Sequence, residues 1–184
     1  MQFLNSETRY GAIPQAFHWL TALCVVAGWV LGEFMFVFPR GGAGRSYALL
    51  THMTLGQCVI VLLIARLAWR LGNPPPPTER TRIGRLVEIA AKASHYTLYG
   101  LLVVTPLAGI AVQLMRSGVL PVFGLWELHS PWPVDRAQAA KIIRAHEYLA
   151  NALLILAGLH AVAALTHHWI FKDRTLVRML PGST

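Results

Sequence analysis

The chain has 184 residues, of which 55% are apolar and only 13% charged, against about 25% charged in an ordinary soluble domain. That composition excludes a water-soluble globule. The formal charge of +8 does not argue for nucleic acid, because the basic residues gather in the connections and at helix ends instead of forming one face.

Four windows carry no Asp, Glu, Lys or Arg: Tyr10 to Gly32, Ser46 to Ala65, Ala93 to Met115 and Tyr148 to Phe171. Each is long enough to cross a hydrocarbon core, which takes about 20 helical residues. The sequence therefore predicts an all-α membrane protein, one domain over residues 1–184 folded as a four-helix transmembrane bundle. Pro14 suits a first helical turn, so the first span is expected over about 14–38, ended by Pro39 and the Gly41 to Gly44 run. The second is expected over about 47–71, with Arg66 and Arg70 snorkelling at its end, before the stiff Pro74 to Pro77 connector. The third, about 83–115, contains Pro106, where a kink is expected. Residues 116–140 hold Trp126, Trp132 and three prolines with little periodicity, and read as a structured loop whose tryptophans anchor the membrane surface. The fourth span, about 140–171, is longer than a bilayer needs.

Alternating topology puts ten basic residues on one side (Arg9, Arg66, Arg70, Arg80, Arg82, Arg85, Lys92, Lys172, Arg174, Arg178) and six on the other (Arg40, Arg45, Arg116, Arg136, Lys141, Arg144). The excess predicts cytoplasmic termini in a multi-pass membrane protein. The first apolar stretch exceeds a signal-peptide core and carries His18, so it is expected to stay attached.

Ionisable groups inside spans are costly and point to function. His18 lies near the inner end of span one, and His160 is eleven residues before the inner end of span four. His52 and His146 each lie about five residues into segments that begin outside. These depths pair His18 with His160 and His52 with His146. On span four, fourteen residues separate two imidazoles on one face by about 21 Å. Two imidazoles at each of two levels suit a pair of stacked haems. Zinc would call for three or four clustered ligands. Neither Cys24 nor Cys58 belongs to a C-x-x-C-H motif, so the expected cofactors are two haem b without thioether links. The competing interpretation is that the histidines hydrogen-bond across helices or line a water cavity. Gly28, Gly56, Gly100, Gly109 and Gly158 are read as helix-packing positions.

Near the inner surface, His95, His167, His168, Arg66 and Arg70 could form a polar mouth for a quinone head group, or could simply sit at the interface. On the outer side Arg136, Lys141 and Arg144 precede His146 and form a basic rim able to steer a small anion, or a solvated helix face.

The histidines stand within FHWL around His18, GEFMFVFPR from Gly32, RLAWRLGNPPPP from Arg66 and HEYLANALLILAGLHAVAALTHHWIFKDRTLVRMLP from His146. In these stretches the chain resembles the bacterial diheme cytochrome b-561 family, over essentially its whole length. The resemblance implies that His18, His52, His146 and His160 are axial ligands of two b haems, and that His167 and His168 lie near a quinone. It implies an oxidoreductase of the respiratory chain that transfers electrons across the membrane, oxidising superoxide to oxygen and reducing ubiquinone. The alternative is a cytochrome b subunit relaying electrons between quinol and a partner oxidoreductase or carrier. Superoxide, or another small outer-side donor, ubiquinone and the lipid bilayer are the expected partners, with no nucleic acid.

Overall fold

Four helices account for most of the chain: α1 (Ala12–Glu33), α2 (Ala43–Gly72), α3 (Arg85–Ser117) and α4 (Arg136–Trp169). The computed structural model describes residues 2–77 and 85–181. Arg80, Arg82 and the expected start of the third span at Ile83 lie outside the described residues. Each helix is long and apolar enough to cross a membrane. Large apolar side chains face outward along all four, among them Leu23, Ile64, Ile155 and Leu159, each more than 60% exposed. In water each fully exposed side chain of this size would forgo about 1.5–3 kcal/mol of burial. Against lipid that loss vanishes, and the backbone of each helix satisfies its own hydrogen bonds.

The helices pair as two hairpins. α1 packs along α2 and α3 along α4, while packing between the hairpins is sparser. A small apolar cluster of Val59, Leu63, Leu102 and Leu153 marks the centre of the bundle. Among the described residues no large side chain is completely buried.

The helix ends differ from the sequence expectation in ways with local causes. α1 stops at Glu33 and tightens into a 3₁₀ turn, Phe34–Val37. Arg45 holds that turn by donating from Nη1 to the carbonyls of Met35 (2.8 Å) and Phe38 (3.2 Å). α4 begins four residues earlier than expected, because Asp135 caps it by accepting from the Gln138 amide at 2.9 Å. The α-helix continues through Pro106. The expected loop contains an antiparallel hairpin, β1 (Val119–Val122) with β2 (Trp126–His129). Its turn has Phe123 and Gly124 at φ 51° and 70°, the left-handed pair that tight hairpins require. Gln57, buried in α2, fixes this turn: Nε2 donates to Pro121 O (2.8 Å) and Oε1 accepts from Phe123 N (2.9 Å).

Both termini meet at one end of the bundle, here the terminal end; the β-hairpin lies at the other, the hairpin end. The terminal end is closed by Arg178. Nε donates to Thr8 O (2.7 Å), Nη1 to Pro77 O (2.9 Å) and Nη2 to Glu7 O (3.4 Å). The Arg178 carbonyl accepts from Gln15 Nε2 at 3.3 Å, and the next carbonyl, of Met179, accepts from Trp19 Nε1 at 2.9 Å. The sequence reading counts Arg178 as one of the tail's surface charges; the structure buries it to 8% exposure. Arg178→Ala is expected to cost about 1–3 kcal/mol, as charged hydrogen bonds to otherwise shielded carbonyls are lost. The check is a lower melting temperature in detergent.

Candidate functional site

The seam between the hairpins carries the histidines. His18 on α1 faces His160 on α4, with ring centroids 6.4 Å apart and planes inclined 66°. His52 on α2 faces His146 on α4, at 6.0 Å and 83°. Both pairs therefore bridge the two hairpins, and α4 contributes to each. The first pair lies toward the terminal end and the second toward the hairpin end.

Backbone carbonyls orient the hairpin-end pair. His52 Nδ1 is 2.8 Å from Gly28 O, and His146 Nδ1 is 2.9 Å from Thr105 O. A carbonyl can only accept, so each Nδ1 carries the proton and each Nε2 keeps its lone pair. This is how metal-binding imidazoles are commonly fixed in tautomer and direction. Glycines let the rings sit where they do. A Cβ on Gly32 would lie 3.1 Å from His52 Cε1, and one on Gly109 would lie 3.1 Å from His146 Cε1. Gly109 thus does more than pack helices, and Gly32 and the carbonyls of Gly28 and Thr105 are contributions that sequence reasoning missed. Gly28 and Gly56 make ordinary contacts, and a Cβ on Gly100 or Gly158 would meet nothing within 4 Å.

Around the terminal-end pair, His95 approaches His160 to 5.2 Å between centroids. Trp19 stands edge-on to His18 at 5.2 Å. The Arg66 guanidinium lies over the Tyr99 ring at 5.5 Å. Arg70 is exposed one turn further on. His167 is tied to Asp173 and His168 packs beside Trp169. At the other end Arg136, Lys141 and Arg144 are exposed on the first turns of α4. Trp126 and Trp132 are exposed as well. Cys24 and Cys58 are unbridged thiols.

Asp173 lies beyond the last span. Burial alone would raise its carboxyl pKa, but hydrogen bonds from His167 and Thr175 outweigh it and hold it below the ordinary value. A carboxylate depressed on folding contributes stability above its unfolded pKa and loses it as pH falls through the folded one. This contribution is therefore present at neutral pH and lost only in acid.

The sequence pattern of the prokaryotic cytochrome b561 family matches residues 9–182. The chain belongs to that family. It is 33% identical over 184 residues to cytochrome b561 homolog 2 of Escherichia coli K12, covering 100% of this chain and 97% of that protein. It is 34% identical over 177 residues to the probable superoxide oxidase CybB of Yersinia pestis, covering 94% and 96%. Cytochrome b562 of Cereibacter sphaeroides is 29% identical over 188 residues, covering 96% and 98%. As a cytochrome b561 the protein is a multi-pass electron-transfer protein of the inner membrane, in contact with the bilayer and carrying b-type haem.

The side chains present fit that cofactor. An imidazole nitrogen binds a first-row metal at about 2.0–2.1 Å and lies about 1.1 Å from its ring centre, so two imidazoles opposed across one iron stand about 6.3 Å apart. The 6.4 and 6.0 Å pairs match this separation. His95 and His160, at 5.2 Å, are too close. Among the described residues no three His, Cys, Asp or Glu side chains converge as a metal-holding group, so the arrangement is two by two.

Proposed function

We propose that this protein oxidises superoxide on the outer face of the membrane and reduces ubiquinone on the cytoplasmic face, with both termini cytoplasmic. His18 and His160 hold one b haem near the cytoplasmic side, and His52 and His146 hold a second near the outer side. The observation that carries this reading is the pair of imidazole couples at iron-spanning distance, both bridging the seam between the hairpins. Bound haem supplies one-electron redox chemistry.

The chain's own residues orient that chemistry. A haem held by both histidines of a pair would be suited to electron transfer rather than oxygen binding. The carbonyls of Gly28 and Thr105 keep the outer imidazoles aimed. Arg136, Lys141 and Arg144 form a basic rim that draws a small anion to the outer face. His95, His167, His168, Arg66 and Arg70 line the cytoplasmic end as the quinone mouth. In the balanced reaction two superoxide ions give two oxygen molecules, while one quinone gains two electrons and two protons to become quinol.

Support for superoxide as donor comes from the name of the Yersinia relative and from the exposed basic rim. The test is quinol formation by the purified protein alone, supplied with superoxide and ubiquinone. Rapid superoxide-dependent reduction is expected. Reduction only after a partner dehydrogenase or carrier is added would replace this reading with the electron-relay one.

Steering by the rim has its own signature. The Debye length shrinks from about 10 Å at 0.1 M to about 3 Å at 1 M ionic strength, so the superoxide-driven rate is expected to fall severalfold over that range. Stopped-flow measurement checks this, with an uncharged reductant as the insensitive control. Reversing Arg144 to Glu is expected to slow the superoxide reaction and leave the uncharged donor's rate unchanged.

A further inference from the structure

The last turn of α4 is joined to the tail by a constellation that the electron path does not use. After Phe171 the backbone enters the left-handed region at Lys172, φ 53°, an uncommon conformation for a residue other than glycine. That reversal returns Asp173 to the helix end. Its amide donates to the His167 carbonyl at 3.1 Å, and its Oδ1 accepts from the Thr175 amide at 2.9 Å. Its Oδ2 lies 2.5 Å from His167 Nδ1. The two side chains are 16% and 15% exposed. The Phe171 ring lies beside the imidazole, its centroid 5.4 Å away and its plane tilted by 60°.

A carboxylate accepts only, so Nδ1 donates to Asp173 and Nε2 is the nitrogen left to act. Among the described residues Asp173 is the charged group in hydrogen-bond contact with the ring. Lys172 and Arg174 flank it in the chain, while Arg66 and Arg70 on α2 and His95 on α3 share its end of the bundle. Depressed in pKa by its hydrogen bonds, Asp173 stays ionised at neutral pH and accepts the ring's Nδ1–H. A simple helix-end tether would need neither an imidazole nor an oriented carboxylate.

We propose that the His167–Asp173 pair is the proton donor for quinone reduction. This rests on the reading that quinone is reduced at the terminal end. The Nε2–H bond of protonated His167 breaks as an O–H bond forms on the reduced quinone oxygen. The neutral imidazole then takes a proton from water at the exposed edge, and a second cycle supplies the second proton. Asp173 acts through His167 and is a positioning residue.

The test compares Asp173→Asn, Asp173→Glu and His167→Gln with the wild type, each purified with haem and assayed for quinone reduction across pH. General acid catalysis is worth about 10²–10⁴-fold, so His167→Gln is expected to lower kcat by a factor of that order. In Asp173→Asn, kcat should fall at least tenfold with KM unchanged. The loss should depend on pH, because the carboxylate charge beside the ring is gone. Asp173→Glu should restore much of the profile. A readout apart from turnover is nuclear magnetic resonance of isotope-labelled histidine, in which the His167 Nδ1–H signal should move upfield in Asp173→Asn as its charged hydrogen-bond acceptor is lost. Unchanged kcat, pH profile and Nδ1–H signal in Asp173→Asn, with an active wild type, overturn the pair's role alone. A wild type that reduces no quinone overturns the site reading and this proposal together.

Discussion

Replacing His146 with alanine is expected to lower the haem content of the purified protein from two per chain to one and to abolish superoxide-driven quinone reduction. The reason is local. His146 stands 6.0 Å from His52 across the seam, and its loss removes one of the two imidazoles proposed to hold that haem, together with its bond to the Thr105 carbonyl. Alanine is the best helix former, so α4 persists and His160, fourteen residues on, keeps its partner His18. Pyridine haemochrome assay against protein concentration is the check. Loss of the other haem, or retention of both, would contradict the pairing.

Gly109→Val is expected to produce the same loss with all four histidines intact. A Cβ there would lie 3.1 Å from His146 Cε1 and 3.4 Å from Nδ1, tighter than ordinary contact. The ring cannot retreat without giving up its 2.9 Å bond to Thr105, and a β-branched side chain in a helix has little rotamer freedom to avoid it. The variant should purify with one haem per chain and a normal helical circular dichroism spectrum. The same substitution at Gly72, where a Cβ would meet nothing within 4 Å, should retain both haems. Equal haem content in the two variants would show that Gly109 does not set the ring's position.

The four spans are legible in the sequence because charge-free windows of sufficient length are a strong signal. Counting depth from alternating ends also pairs His52 with His146 closely and His18 with His160 roughly, and the structure sets these rings 6.0 and 6.4 Å apart. Local features resist such reading where the deciding atoms belong to the backbone. The carbonyls of Gly28 and Thr105 have no side-chain signature. The hairpin strands are only four residues each, one contains Pro121, and the turn depends on Phe123 adopting positive φ. The early start of α4 does have a signal, Asp135 followed three residues later by Gln138, but it sits in a stretch rich in Pro and Trp. Arg178 looks like any tail charge until the termini meet. His167 and Asp173 become partners only through the turn at Lys172.

These differences share a physical pattern. Span positions follow from transfer of whole segments into lipid, a sum over some twenty side chains that a few exceptions cannot reverse. The aim of an imidazole depends on one carbonyl and one missing Cβ. The chain therefore announces where its histidines lie in depth far more plainly than what keeps their rings in place.

If four histidines hold two b haems at two depths, haem counting with a redox titration of the purified wild type has a definite outcome. The expected result is two haem b per chain, extractable by acid acetone because no thioether links exist, and titrating as two one-electron components. One haem per chain, or none, would contradict it.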